Sequence, residues 1–340
     1  MVTERLRKLR KRCLVALATF GLALLGTEAA LQLTPLGDRI YYNAPIYVNE
    51  RLARPSKAFT PDPDVGWRMR PGSRVQFPTE GRQIEYLADA EGFRTARNRK
   101  VSDRPHRITL VGDSFAWGFG VHWEETCAAH LETRFPGTSV PVLAMPGFGL
   151  DQIMESVRHW ALPRNPNLVL VAIFSDDLSR SFTAFRETEG LGKPLYHLEA
   201  EKLTLSTEAD RPGALQRFLE RKSKLYSAFW VARRVIGKRY GLGSWWKLNQ
   251  ALLEGMTAEL QAAEVPVLFV HIPKRNGEPL PALTSYLQSH GQNLIDLAEL
   301  PKSELESFYF ETDGHFSPQG HRKLAHLVGN WIEVHLPQLH

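Results

Sequence analysis

Cysteine is scarce in this sequence, which holds only Cys13 and Cys127 in 340 residues. A fold stapled by several disulfides is therefore excluded, and we expect no bridge between a residue in an N-terminal apolar run and one in a predicted helix. Internal repeats and low-complexity tracts are also lacking. With 43% hydrophobic residues, the chain is long and apolar enough to bury one large core.

The body of the protein lacks an excess of charge of either sign. The net charge of +5 arises in residues 1–12, which hold six basic residues and one acidic residue. Removing this tail from the totals of 42 and 37 leaves 36 basic and 36 acidic residues. A protein that binds polyanions needs basic residues on its folded surface, so the sequence argues against a nucleic-acid partner.

An uncharged run follows the basic tail. Cys13–Gly26 contains no charged residue, and Glu28 is the only ionisable group from there to Leu36. Residues 13–36 together give about the 20 residues that a membrane-spanning helix needs. The basic flank is expected to stay in the cytoplasm, which places the rest of the chain on the outer side of the membrane.

Two fates of this run stay open. Its length favours a retained transmembrane anchor, whereas the small residues Ala29 and Ala30 would also permit cleavage of a signal peptide. An amphipathic helix on the membrane surface fits poorly, because the run has no polar face. We therefore predict a single-pass membrane protein whose main domain is extracytoplasmic, in the periplasm.

Residues 37–106 are predicted to form an irregular, β-containing extension between membrane and main domain. Arg82–Leu87 alternates between polar and apolar residues, and Pro71-Gly72 and Glu91-Gly92 are turn signals.

From residue 107 to the end at 340, short apolar runs alternate with helical stretches. The predicted strands are Arg107–Val111, Val140–Ala144, Leu168–Phe174 and Val265–His271, with Leu294–Leu297 as a weaker fifth. Strands that alternate with helices predict an α/β domain, in which helices cover both faces of a parallel sheet. Pro318–Val334 is predicted to be the closing amphipathic helix.

The connection at about 178–263 is much longer than a crossover between strands needs, so we interpret it as an insertion. It interleaves basic and aromatic residues: Arg217, Arg221, Lys222, Lys224, Arg233, Arg234, Lys238 and Arg239, with Phe218, Tyr226, Phe229, Trp230 and Tyr240. This composition predicts one or two amphipathic helices packed on the sheet. Contact of the basic face with anionic lipid or an acidic polysaccharide is the alternative.

A serine lies where the first predicted strand of the domain meets a helix. The turn reads Gly112-Asp113-Ser114-Phe115, which exposes a hydroxyl at the carboxyl edge of the sheet, where open α/β folds bind ligands. Amides at the following helix N-terminus can stabilise an oxyanion there. A plain helix cap by Asp113 or Ser114 is the structural alternative.

A serine hydroxyl needs a base to become nucleophilic, and the C-terminal part of the chain supplies one. Asp313 and His315 lie between the last strand and the closing helix, with the carboxylate close enough to orient the imidazole. His321 falls inside that helix, and we predict a structural role for it. A zinc site of Asp313, His315, His321 and His271 matches no known ligand spacing, so no metal or other cofactor is predicted.

These blocks together resemble the SGNH (GDSL-like) hydrolase superfamily: Gly112-Asp113-Ser114 after the first strand, a glycine after the second and a late Asp/His pair. The resemblance covers about residues 107–335. It is closest to the membrane-tethered, extracytoplasmic members, whose domain follows stretches like Asp64-Val65-Gly66-Trp67-Arg68 and Gly92-Phe93-Arg94. The fold it implies is a flavodoxin-like, three-layer parallel sheet.

The resemblance also implies roles for individual residues. Ser114 would be the nucleophile, His315 its general base and Asp313 the acid that orients the base. Pro146-Gly147-Phe148-Gly149 matches the glycine block, so the amide of Gly147 would join that of Ser114 in an oxyanion hole. The third donor would stand at Asp176.

Two positions depart from the family pattern. Asp176, in Phe174-Ser175-Asp176-Asp177-Leu178, stands where the family has an asparagine, and an ionised carboxylate cannot donate a hydrogen bond to an oxyanion. One residue separates Asp313 from His315, where many soluble members have two. Tethered relatives and the alginate O-acetylation proteins resemble the shorter form.

The sequence therefore predicts an extracytoplasmic serine esterase or O-acyltransferase. Its expected substrate is an acylated carbohydrate or another ester, such as O-acetyl groups of an envelope or exported polysaccharide. The first alternative is a catalytically degenerate domain that binds a glycan or an assembly partner. The second is a neutral-lipid lipase that uses the aromatic insertion as an acyl groove.

Overall fold

A computed structural model of the chain describes residues 2–37, 58–97, 99, 104–182, 185–186, 191–205, 215, 218–219, 222–240 and 244–339. The chain divides into two compact units, one within residues 1–48 and 208–245 and the other within 49–207 and 246–340. Arg217, Arg221 and the side chains of Trp230, Arg233, Arg234, Lys238, Arg239 and Tyr240 lie outside the described part. The alternative role predicted for the basic residues of the insertion therefore stays a prediction.

The helices are α1 (Val2–Gln32), α2 (Ser114–Trp117), α3 (Cys127–Arg134), α4 (Leu150–Ser156), α5 (Asp177–Arg180), α6 (Lys224–Tyr240), α7 (Ser244–Ala262), α8 (Pro281–Ser289), α9 (Lys302–Glu306) and α10 (Pro318–His335). Residues Val157–Ala161 continue α4 with a wider helical turn. Short 3₁₀ turns lie at Trp123–Glu125, Leu162–Arg164, Leu297–Glu299 and Pro337–Leu339.

The strands are β1 (Phe59–Asp62), β2 (Gly66–Met69), β3 (Arg74–Thr79), β4 (Arg82–Ala88), β5 (Arg94–Thr95), β6 (His106–Val111), β7 (Thr138–Ser139), β8 (Leu168–Phe174), β9 (Phe185–Arg186), β10 (Leu191–Gly192), β11 (Tyr196–Glu199), β12 (Lys202–Leu205), β13 (Val267–Ile272) and β14 (Asn293–Asp296).

The first unit contains α1 and α6. Among the described residues, α1 is the helix long and apolar enough to cross a membrane, over Arg10–Gln32. A signal sequence can be equally long and apolar, so the length and composition of α1 are compatible with a retained anchor and with a cleaved signal peptide.

The second unit is built on a five-stranded sheet in the order β7-β6-β8-β13-β14, with every neighbouring pair parallel. Counted along the chain, this order is 2-1-3-4-5, as in flavodoxin-like folds. Consecutive residues of β8 and β13 are buried, which means that both faces of the sheet are covered. The α/β fold class predicted from the sequence is confirmed.

The second predicted strand differs from the structure. Val140–Ala144 forms no strand; pairing with β6 is confined to β7 and to an isolated bridge between Val142 and Leu110. Pro141 interrupts the predicted segment and has no N–H to donate to a continuous ladder.

The extension forms β1 to β5 in two antiparallel sheets, β1-β2 and β3-β4-β5. The predicted turns are present, since Gly72 and Gly92 have φ angles of 66° and 89°. These strands belong to the same compact unit as the central sheet.

Candidate active site

Ser114 lies at the turn between β6 and α2. Gly112 makes the turn with a φ of 154°, and a Cβ there would come within 2.7 Å of the Ala172 carbonyl oxygen. A side chain would therefore both strain the backbone and collide with β8. Asp113 caps α2 by accepting the Phe115 amide at 2.9 Å. The cap and the candidate nucleophile are thus neighbouring residues with separate roles.

The structure brings Ser114, His315 and Asp313 into one chain of hydrogen bonds. The Ser114 Oγ and His315 Nε2 atoms are 2.8 Å apart. On the other ring nitrogen, His315 Nδ1 lies 2.5 Å from Asp313 Oδ1. Ser114 is only 6% exposed, whereas the side chains of His315 and Asp313 are about one-third exposed. This order of atoms is the one in which an imidazole removes the serine proton and a carboxylate steadies the imidazole.

The electrostatics fit an ionised Asp313. The hydrogen bond from His315 lowers the pKa of Asp313, against partial burial, which raises it. The same carboxylate also accepts the His315 amide at 2.9 Å. Two bonds between these residues fix both the backbone and the ring of the histidine.

The loop that carries the Asp/His pair is held by Glu80, at the turn between β3 and β4. Glu80 Oε1 accepts the Thr312 hydroxyl at 2.6 Å and the amides of Thr312 and Asp313 at 2.8 Å each. These bonds lower the pKa of Glu80. The extension therefore positions the loop of the candidate base, a role for which the sequence offers no signal.

Arg94 positions the other side of the site. This buried guanidinium donates to the carbonyls of Trp117, the last residue of α2, and of Gly118 and Val121, which follow it. It lies 4.7 Å from the centre of the Tyr86 ring, and the Tyr86 hydroxyl accepts the Gly120 amide at 2.8 Å. Burial lowers the pKa of Arg94 to about 10. The Gly92-Phe93-Arg94 stretch thus holds the helix that begins with Ser114.

The glycine block lies in a loop that the extension also supports. Trp67 Nε1 donates to the Pro146 carbonyl at 3.2 Å. Gly147 has a φ of 81°, which a residue with a side chain rarely adopts. Among the described residues, no carbonyl accepts the amide of Gly147 or of Ser114. Both amides are therefore available as donors, which is what an oxyanion hole requires.

Asp176 is paired with a cation. Its carboxylate is 2.9 Å from Lys274 Nζ, and both side chains are about two-fifths exposed. An ion-paired carboxylate accepts hydrogen bonds and donates none. The assignment of Asp176 to an oxyanion hole stays a prediction.

Arg180 connects three parts of the site. Its Nη1 donates to Asp113 at 2.8 Å, to Asp177 at 2.5 Å and to the Phe148 carbonyl at 3.1 Å. Asp113 and Asp177 have fully buried side chains. Burial, and then the charge of Asp113, raise the pKa of Asp177 well above its ordinary value. Sequence reasoning missed Arg180, although its spacing of three from Asp177 on a helix permits this pair.

A second serine–histidine–aspartate chain lies at the same edge of the sheet. The Ser175 Oγ atom is 3.1 Å from His271 Nε2, and His271 Nδ1 is 2.7 Å from Asp296. His271 is fully buried, and the Ser175 amide donates to the Ile272 carbonyl at 3.0 Å. Because its own amide is occupied, Ser175 lacks the free donor that Ser114 has.

The remaining histidine of the zinc alternative is also engaged. His321 lies on α10, is fully buried, and accepts the Cys127 amide at 3.3 Å through Nδ1. Burial lowers the pKa of His321 to about 3. Within the described part of the chain, no three His, Cys, Asp or Glu side chains are grouped as a metal would require.

Neither a protein-family model nor a curated protein matches the sequence. Similar solved structures include a member of the lipolytic protein G-D-S-L family from Veillonella parvula, with 11% identity, a TM-score of 0.40 and coverage of 66% of this chain and 97% of that one. The psychrotrophic esterase EstA from Pseudoalteromonas has 12% identity, a TM-score of 0.41 and coverage of 67% and 99%.

A two-domain esterase active on acetylated mannans is similar at 12% identity and a TM-score of 0.40, over 67% of this chain and 49% of that one. The solved structures similar to this chain thus include lipolytic G-D-S-L proteins, the group that the sequence motifs resemble.

Proposed function

We propose that the protein is an extracytoplasmic serine esterase or O-acyltransferase with Ser114 as nucleophile, His315 as general base and Asp313 as the orienting acid. The observation that carries this proposal is the unbroken hydrogen-bond chain from Ser114 through His315 to Asp313. The second chain, from Ser175 through His271, lacks a free amide on its serine, because the Ser175 amide donates to the Ile272 carbonyl, whereas no described carbonyl accepts the Ser114 amide.

The reaction would proceed by covalent catalysis. Ser114 Oγ attacks the acyl carbon while His315 Nε2 takes its proton, and the amides of Ser114 and Gly147 stabilise the oxyanion. The bond to the leaving alcohol breaks as His315 returns the proton to its oxygen. Water or a sugar hydroxyl then attacks the acyl-serine, which gives hydrolysis or transfer.

The substrate proposed for this site is an acylated carbohydrate, in particular O-acetyl groups on an envelope or exported polysaccharide. A membrane anchor supports this class, because it would keep the site beside polymers made or exported at the membrane. A triad of this kind can attack other esters equally well. The identity of the acyl group and of the alcohol is therefore proposed separately from the role of Ser114.

Labelling by a fluorophosphonate tests the nucleophile in the full chain, purified in detergent. We expect the wild type to be labelled and to hydrolyse p-nitrophenyl acetate, and Ser114→Ala to lose labelling and at least about 10³-fold in turnover. Ser175→Ala is a matched control, because it removes a buried serine that also contacts a histidine. Labelling that survives in Ser114→Ala, or depends on Ser175, contradicts the assignment.

A degenerate binding domain is the second candidate, and Asp176 is the observation that favours it. We expect Asp176→Asn to raise turnover about tenfold if the carboxylate faces the oxyanion, because an amide can donate where a carboxylate repels. Lys274→Gln is the matched control, since it removes the ion pair and leaves the carboxylate. Turnover within twofold of wild type in both variants would place Asp176 outside the oxyanion site.

A further inference from the structure

Helix α1 exposes apolar side chains that a soluble protein would bury. Its segment Arg10–Gln32 buries none of its residues in the protein, and Leu22 is 70% exposed. A lipid bilayer is the environment that removes a helix of this length and composition from water.

Glu28 is the one charged residue in this helix after Arg12, and its carboxylate is fully engaged. Oε2 accepts the Ser223 hydroxyl at 2.7 Å and the Leu225 amide at 2.9 Å. Oε1 accepts the Lys224 amide at 2.9 Å. These amides begin α6, so a carboxylate from α1 caps the first two amides of α6, while Ser223 Oγ accepts the Tyr226 amide at 3.0 Å.

Gln32, one turn further along α1, extends the contact. Its Nε2 donates to the Lys222 carbonyl at 2.6 Å and to Glu28 Oε1 at 2.6 Å. In the opposite direction, Lys224 Nζ donates to the Gln32 carbonyl at 3.4 Å. The last turn of α1 and the first turn of α6 therefore hold each other by several polar contacts.

The position of Glu28 along α1 agrees with this role. The stretch from Cys13 to Thr27 rises about 22 Å as a helix, against about 30 Å for a hydrocarbon core. Glu28 would therefore lie in the outer third of the hydrocarbon core, where an unpaired carboxylate is costly. The first two amides of α6 and the hydroxyl of Ser223 offset that cost.

We propose that α1 is retained in the mature protein as its membrane anchor, and that Glu28 joins this anchor to α6. Cleavage after Ala29 or Ala30 would separate Glu28 from the domain and leave the first amides of α6 without their acceptor. The location in a membrane rests on the proposed function, whereas the contact between Glu28 and α6 does not depend on catalysis.

The test uses the full chain produced in a bacterial membrane and placed in lipid nanodiscs. We expect the intact mass to include residues 1–30, allowing for loss of Met1. We also expect hydrogen exchange at the Lys224 and Leu225 amides to be at least about tenfold faster in Glu28→Ala than in the wild type. Glu28→Gln keeps one acceptor oxygen, so an intermediate rate is expected.

Thr27→Ala is the matched control, because the Thr27 hydroxyl bonds to the Ala23 carbonyl of its own helix. It should leave exchange at α6 unchanged. A mature chain that begins after Glu28, or unchanged exchange in both Glu28 variants, overturns the proposal. Fluorophosphonate labelling of the same samples reports the proposed function separately, since Ser114 can react whether or not α1 is retained.

Discussion

Replacing Asp313 with asparagine is expected to lower turnover of an activated acetyl ester by about 10³–10⁴-fold with little change in KM. The amide of asparagine can present an N–H to His315 Nδ1, which favours the tautomer with a proton on Nε2. That proton would then face Ser114 Oγ, where a general base must have a free electron pair. Because Oδ1 of Asp313 also accepts the His315 amide, this asparagine gives up that bond, but the bonds from the Thr312 and Asp313 amides to Glu80 still hold the loop.

Steady-state kinetics on the full chain measure this effect. Glu311→Gln is the matched control, because it makes the same chemical change at an exposed position two residues away. It should leave turnover within about threefold of wild type, as is usual for exposed positions outside a site. Turnover of Asp313→Asn in that range would remove Asp313 from the proposed mechanism.

The Asp313–His315 contact also has a definite pH dependence. The hydrogen bond from His315 holds the folded pKa of Asp313 below its ordinary value. The stability that this contact contributes is therefore present above the unfolded pKa and lost as pH falls through the folded pKa. In Asp313→Asn this acid-range loss should be smaller than in the wild type.

Replacing Arg180 with glutamine is expected to lower the free energy of unfolding by about 3–5 kcal/mol. The change leaves the carboxylates of Asp113 and Asp177 buried without their shared cation. It also removes the bond to the Phe148 carbonyl, so the loop with Gly147 loses its connection to the turn with Ser114. Turnover should fall even under conditions in which the variant is folded.

Urea denaturation in mild detergent measures the stability loss. Arg82→Gln is the matched control, because Arg82 and Glu125 form an ion pair whose side chains are about one-third exposed. A pair of that kind contributes about 0–1 kcal/mol. If Arg180→Gln also lowers the free energy of unfolding by only about 0–1 kcal/mol, the buried carboxylates do not need Arg180.

The sign of the pH dependence gives a second check on Arg180. The pKa of Asp177 is raised, so its contribution is largest below the unfolded pKa and declines as pH rises toward the folded pKa. Removing Arg180 takes away the cation that favours the ionised form of Asp177. The difference in stability between Arg180→Gln and wild type should therefore be larger at neutral pH than at acid pH, where Asp177 is protonated.

The extension accounts for contacts that single motifs would not predict. Glu80 holds the loop of Asp313, Arg94 holds the end of α2, and Trp67 holds the loop of the glycine block. Three separate points of the candidate site thus depend on residues that precede the α/β domain. The candidate site needs the stretches around Trp67 and Arg94 to hold it in place, which is a physical reason for their presence before the α/β domain.

The sequence by itself determined the alternation of strands and helices, because apolar periodicity reflects which side of an element faces the core. β8 begins and ends where its apolar run does, and Ser114 follows β6 as the Gly-Asp-Ser turn indicates. The candidate triad was also predictable, since parallel strands bring their carboxyl ends to one edge of a sheet.

Only the tertiary structure decided which polar groups meet. Glu80 and Thr312 are 232 positions apart, and Glu28 and Ser223 are 195 apart. No local pattern encodes such pairs, because hydrogen bonds depend on distances of about 3 Å between atoms that the fold alone brings together. The same reason explains why Ser175 and His271 form a second serine–histidine chain that no motif predicted.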